Sequence, residues 1–152
     1  MMQAALLPIT LGIVGLVVGS FLGLVSLRVP VGLDIVAGRS RCGSCGETLS
    51  PLRLIPVLSY VWSRGRCVDC GASIPARYPL LEITAAAIGV VAGLSQTGLV
   101  TAGLVAIAGW HWLISLTLYV EHRRVPSVLG GSLLVSTMIA VALVLANLPL
   151  GR

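Results

Sequence analysis

The sequence has no lysine, five carboxylates and a single phenylalanine in 152 residues. Charged residues make up 10% of it and aromatic residues 5%. Soluble domains are nearer ~25% charged, so this scarcity excludes an ordinary water-soluble globule. It also excludes a disordered chain, which needs low hydrophobicity and a high net charge. Four cysteines are too few for a disulfide-stapled secreted module. No glycine-rich nucleotide-binding motif occurs, and nothing in the pattern points to nucleic acid as a partner. What is abundant is apolar: 57% of residues, with a mean hydropathy of +1.02. That composition predicts an all-α polytopic membrane protein whose immediate partner is the lipid bilayer.

Four stretches carry little or no charge and predict about four transmembrane helices: roughly Leu6–Leu27, Pro79–Leu94, Leu99–Val120 and Val128–Leu148. The first lacks the basic start of a cleavable signal peptide and is read as a retained span. The second is short for a helix that needs about 20 residues to cross, so its start is placed near Arg77. Gly12, Gly15, Gly19 and Gly23 recur at helical spacing along one face of the first span. Such a face allows close helix approach in lipid, or reflects only the general tolerance of membrane helices for glycine.

The net charge of +5 comes entirely from arginine on the positive side. Arg28, Arg39, Arg41, Arg53, Arg64, Arg66 and Arg77 lie between the first two spans, and Arg123 and Arg124 between the last two. Only Arg152 falls on the other side. The positive-inside rule then puts the 28–77 loop in the cytoplasm and both termini outside. The chain divides into residues 1–29, a first transmembrane helix; 30–77, the cytoplasmic loop; and 78–152, a three-helix membrane region.

All the cysteines lie in that loop, as Cys42-Gly-Ser-Cys45 and Cys67-Val-Asp-Cys70. Two such pairs at this separation predict a zinc-ribbon-like loop. Each turn points two thiolates at one ion, and two turns complete a closed tetrahedral site. Gly46 and Gly71 follow the pairs and suit tight turns; Arg41 and Arg66 precede them and favour thiolates. The repeated Arg-Cys-x-x-Cys-Gly unit reads as an internal pseudo-repeat. The zinc is expected to be structural. Two disulfides or a redox role are the alternatives, the first disfavoured on a reducing face. Between the pairs, residues 54–66 form an apolar run. It reads as an amphipathic segment at headgroup level, anchored by Tyr60 and Trp62 with Arg64 and Arg66 toward anionic lipid, or as the ribbon's own small core.

Several segments, in order, resemble the bacterial type IV prepilin peptidases, leader peptidase and N-methyltransferase enzymes of type IV pilus and type II secretion systems. Gly19-Ser-Phe-Leu-Gly-Leu-Val-Ser-Leu-Arg-Val-Pro30 resembles the family's first-helix exit. Arg39-Ser-Arg-Cys42 through Cys45 is similar to its first cysteine knuckle. Ile55-Pro-Val-Leu-Ser-Tyr60, Arg64-Gly-Arg-Cys67 and Ile74-Pro-Ala-Arg-Tyr-Pro-Leu-Leu-Glu-Ile-Thr-Ala85 match closely. Glu121-His-Arg-Arg-Val-Pro126 resembles the segment after the first catalytic aspartate. The resemblance implies a multi-pass protein of the bacterial inner membrane, pilin or pseudopilin precursors as partners, and S-adenosylmethionine as a possible methyl donor.

The departures bear on activity. The family is an aspartic peptidase using two aspartates. Aligned on Val125-Pro126, the first falls on Tyr119, and Ser127 follows the proline. The Gly-x-Gly-Asp motif of the second does not occur, and Gly130-Gly-Ser132 carries no carboxylate. Gly23 and Leu27 replace the usual Asn and Tyr. The resemblance is to the N-terminal portion of such an enzyme and implies truncation after four spans. Aspartic proteolysis needs two carboxylates sharing a proton. The acids here are Asp34, Glu47, Asp69, Glu82 and Glu121, none an aspartate within a span. The tyrosine phenol at 119 is not a carboxylate and cannot serve as one half of such a pair.

Glu82 lies at a membrane boundary, where an acid is costly and marks a functional candidate. With Arg77 it forms the possible substrate-binding pair: Glu82 would bind a substrate amine or pair with Arg77, or else snorkel or favour a helix start. His111 is expected to hydrogen-bond a neighbouring helix, or less readily to carry protons. His122 is expected to be solvated. Two functions follow. In one, the chain acts in prepilin maturation with a second membrane chain supplying the aspartates. In the other, it is a non-catalytic zinc-binding scaffold, or a degenerate relative, that binds pilin-like substrates.

Overall fold

Helix is the only way for a long apolar run to satisfy its own backbone in lipid. The computed structural model describes residues 2–36, 38–95, 98–123 and 126–147. Four long helices occupy the four apolar runs. Helix α1 spans Met2–Arg28, α3 Arg77–Leu94, α4 Leu99–His122 and α5 Ser127–Asn147. A short helix, α2, covers Leu58–Trp62 in the loop between α1 and α3. Among the described residues there is no strand, only isolated bridges inside that loop. Arg124, Val125 and Arg152, used in the charge count and the alignment, lie outside the described residues, as do residues 96–97 of the turn before α4 and Leu148 at the far end of the last span.

Helix α3 begins at Arg77, as its length requires. Helices α1 and α3 form the tightest pair, and the glycine stripe is why. A Cβ on Gly12 would sit 2.7 Å from Val90, and one on Gly19 would sit 2.5 Å from the Cα of Glu82. Gly15 faces the backbone of Ala85 and Ala86 even more closely. From the other side, Gly89 meets the Leu11 carbonyl and Gly93 meets Pro8. Small residues on both helices thus bring backbone onto backbone, which is how association is driven where lipid removes the hydrophobic term.

Helix α4 completes the core. Leu11, Ala92, Ala102 and Ala106 pack at one end, and Leu22, Val25, Ile114 and Leu118 at the other. Trp110, His111 and Trp112 fan out to two neighbours. The Trp110 indole donates to the Ala85 carbonyl of α3 at 2.9 Å. His111 lies 3.4 Å from the Ser132 hydroxyl, and the Trp112 indole donates to Thr137 at 3.0 Å, both on α5. His111 is therefore placed as a link between helices. Helix α5 packs on α4 and leaves most of its surface outward.

Candidate metal centre and the loop–membrane junction

The metal centre is built from two copies of one backbone turn. In the first, the Cys42 amide donates to the Glu47 carbonyl at 2.9 Å and the Gly46 amide to the Cys42 carbonyl at 2.9 Å. In the second, Cys67 donates to Ala72 at 2.8 Å and Gly71 to Cys67 at 2.8 Å. Gly46 and Gly71 have φ of 73° and 72°, the left-handed conformation that glycine adopts without a Cβ penalty. Each knuckle is closed by an antiparallel bridge, Arg41 with Thr48 and Arg66 with Ser73. The pseudo-repeat in the sequence is thus a repeat of hydrogen bonding.

The knuckles bring the sulfurs of Cys42, Cys45, Cys67 and Cys70 within 4.8 Å of one another. Cys42 and Cys70 are 3.9 Å apart. A tetrahedral ion with sulfurs at ~2.3 Å has S–S edges of roughly 3.8 Å, so this donor set fits a closed four-sulfur centre. Among these described residues the structure records the thiols as free rather than as disulfides.

The electrostatics point the same way. The Cys45 and Ser44 amides turned toward Cys42 stabilise its thiolate and lower it to about 6. Cys45 is pushed up to about 12. The Glu47 amide favours its thiolate, but desolvation and the neighbouring sulfurs of Cys42 and Cys70 outweigh it. Four sulfurs this close cannot all carry charge without a cation among them.

Arg53 and Asp69 brace the second knuckle. They form a two-pronged ion pair, and Asp69 in turn lies 3.8 Å from the Cys67 sulfur. The guanidinium holds the Asp69 carboxyl below the usual carboxylate range. Asp69 is the acid inside a Cys-x-x-Cys turn, a visible signal; nothing local in the sequence marked Arg53 as its partner.

Glu82 does not pair with Arg77. The two are five positions apart on α3, which puts them on different faces; helix neighbours are three or four apart. Glu82 is instead 8% exposed, and one carboxylate oxygen accepts the Val57 amide at 2.6 Å. Val57 has φ 62° and ψ −49°, and the Leu58 amide closes back on the Pro56 carbonyl at 2.6 Å. For a β-branched residue that conformation costs on the order of 1–3 kcal/mol. The Glu82 contact holds it, and so ties the start of α2 to the membrane end of α3.

Arg77 pairs with Glu121 at 3.0 Å, joining the first residue of α3 to the last turn of α4. It also stacks over Tyr78, 5.1 Å from the ring centre. His122 is not simply solvated: its Nε2 lies 3.0 Å from the Ser26 carbonyl of α1. The Nε of Arg77 and the Oε2 of Glu121 are buried without a hydrogen-bond partner. Replacing Arg77 by Gln removes the guanidinium 3.0 Å from a Glu121 side chain that is 18% exposed, and among the described residues leaves it the His122 ring at 3.7 Å. Destabilisation of about 1–2 kcal/mol is expected, partly recovered when Glu121→Gln is added. Thermal unfolding of the singles and the double in one detergent checks this.

Tyr119 is 52% exposed on the outside of the bundle. Arg123 lies over its ring at 5.7 Å. No described carboxylate faces it.

A family model described as the bacterial peptidase A24 N-terminal domain matches residues 13–95. The chain is 40% identical over 107 residues to a prepilin leader peptidase/N-methyltransferase of Bacillus subtilis, covering 70% of this chain and 37% of that protein. It is 47% identical over 78 residues to a protein of the same description from Myxococcus xanthus, covering 51% and 23%. It is 31% identical over 157 aligned positions to a type 4 prepilin-like proteins leader peptide-processing enzyme of Escherichia coli O78:H11, covering 90% and 57%. The chain thus spans between about a quarter and somewhat over half of the length of these relatives. No solved structure matches it. The matched stretch runs from the glycine stripe of α1 through both knuckles to the end of α3, and on that match the chain belongs to the bacterial peptidase A24 N-terminal domain family.

Proposed function

We propose that this chain serves the processing of type IV pilin or type II secretion pseudopilin precursors in the bacterial inner membrane, and that it does not cleave peptide by itself. The family relationship supports the role in leader processing. The observation that carries the second half is the state of the acids. Glu82 is taken up by the Val57 amide and Glu121 by Arg77, and Tyr119 stands where the resemblance expects the first aspartate. Among the described residues no pair of carboxylates is placed to share a proton, as aspartic proteolysis requires.

In this reading, a second membrane chain carrying Gly-x-Gly-Asp supplies the missing carboxylates. The four cysteines hold zinc as a staple, since a closed four-sulfur site leaves no position for substrate. The arginine count favours a cytoplasmic cysteine loop with both termini outside. Arg77 and Glu82 lie at the junction a precursor would meet on leaving the bilayer. The methylation named for the relatives would draw on S-adenosylmethionine, for which no residue here is assigned. A scaffold that binds pilin-like substrates without catalysis is the second reading, favoured by the exposed Tyr119.

The test is leader cleavage in lipid nanodiscs. The chain alone should release no leader from a prepilin, and adding a partner with the Gly-x-Gly-Asp motif should restore release. Cleavage by the chain alone would overturn the proposal. Prepilin capture with no cleavage under any pairing would select the scaffold reading.

A further inference from the structure

We propose that the outward face of α2, made of Leu58, Val61 and Trp62 and flanked by Arg64 and Arg66, docks onto the anionic headgroup surface of the leaflet on its own side of the membrane.

The face is inside out by the standard of a soluble loop. Positions 58, 61 and 62 stand at i, i+3 and i+4, so they share one side of the helix. All three are exposed, Trp62 at 71%. The more polar side is the one turned inward: Ser59 and Tyr60 are partly buried, and the Tyr60 ring covers Gly65. Leu52, Leu54 and Val68 extend the exposed apolar surface on the same loop. Nothing among the described residues covers it.

Two observations identify what does. The first is position. Glu82 lies in the second turn of α3, a helix long and apolar enough to cross a membrane, and its carboxylate binds the amide at the start of α2. Five residues at ~1.5 Å each place Glu82 within about 8 Å of that helix's first residue. The start of α2 is therefore held at the boundary where α3 enters the bilayer. The second is charge. Arg64 and Arg66 follow α2 directly, both are exposed, and neither has a carboxylate partner among the described residues. An apolar helix face beside unpaired arginines, with an indole between them, is the pattern of an interfacial segment on anionic lipid.

The experiment uses the full chain in nanodiscs of phosphatidylcholine, with or without phosphatidylglycerol. Trp62 is isolated by subtracting the emission of Trp62→Phe, which leaves Trp110 and Trp112 in place. In discs containing phosphatidylglycerol, Trp62 should emit to the blue, resist aqueous iodide, and be quenched more by lipids brominated near the headgroup than by lipids brominated at the chain end. Arg64→Gln with Arg66→Gln should lower the docked-to-undocked ratio by about fivefold for each arginine, roughly thirtyfold together, in those discs only. Iodide access that is equally high in both kinds of disc overturns the proposal. So does shielding from iodide without any quenching by brominated lipid, because the cover is then protein, whether a second copy or another chain. Equal docking with and without phosphatidylglycerol overturns the anionic headgroup as the partner.

Discussion

Changing Cys45 to Ser should empty the metal centre and unfold the loop while leaving the membrane helices intact. Purified under reducing conditions, the unaltered chain should carry about one metal ion, and the variant close to none. The size of the effect follows from what else holds the loop. Between Arg39 and Ala76, only Gly65 and Cys67 are buried, while Leu52, Leu54, Leu58, Val61, Trp62 and Val68 are exposed. There is no packed core to fall back on. A structural four-ligand site contributes about 10–16 kcal/mol of binding free energy, most of which appears as folding of the segment that carries it. Three sulfurs in place of four leave an open coordination position, and the two knuckles lose their shared anchor. Elemental analysis reads the metal. Limited proteolysis should cut the variant between residues 42 and 74, and circular dichroism should retain the signal of α1, α3, α4 and α5. Ser44→Ala, in the same turn but with no sulfur, should keep both the metal and the protection. A Cys45→Ser protein with undiminished metal would sink the assignment of these four residues as one centre.

The knuckles and the spans were legible because both are local. A span is written as a run of apolar residues, and a knuckle as two cysteines three apart with a glycine after them. Lipid leaves the helix no alternative, and a turn of six residues closes on its own hydrogen bonds. The contacts that join these parts were not legible. Val57 to Glu82 is a bond across 25 positions, Arg77 to Glu121 across 44, and Ser26 to His122 across 96. Each depends on how far α1, α3 and α4 slide and rotate against one another, which no periodicity encodes. Of the roles open to Glu82 in the sequence, pairing with Arg77 is set aside by helix phase, and the partner of Arg77 is on a different helix. His122 looked solvated because its neighbours Glu121 and Arg123 are charged; its actual contact is a carbonyl on α1, invisible until the bundle is assembled. The apolar run at 54–66 can be read as interface, core or both, and its 58, 61 and 62 face is exposed while Ser59 and Tyr60 are partly buried.

The glycine stripe was visible in the sequence, but its partner was not, and the partner is what makes it consequential. Gly15→Leu and Gly89→Leu should each separate α1 from α3. In both cases the atoms in the way are backbone: the Ala85 carbonyl and Ala86 Cα for Gly15, the Leu11 carbonyl for Gly89. Backbone cannot swing aside as a side chain does, so even Gly→Ala forces the helices apart. Overpacking of a tight contact costs about 1–3 kcal/mol, and a leucine set against an opposing main chain belongs beyond that range. Gly103 gives the control. A Cβ there meets nothing within 4 Å, so Gly103→Ala should be neutral or slightly stabilising. Reversible unfolding in mixed detergent, read by helix content, ranks the variants. The effect should also travel. Gly19 lies against the Cα of Glu82, so the α1–α3 spacing sets where that carboxylate stands beneath Val57. Variants at 15 and 89 should therefore loosen the seat of α2, increasing iodide access to Trp62, without altering the metal content of the knuckles. If Gly15→Ala and Gly89→Ala prove as stable as Gly103→Ala, the two helices are not held at the separation described, and the placement of the loop against the membrane fails with it.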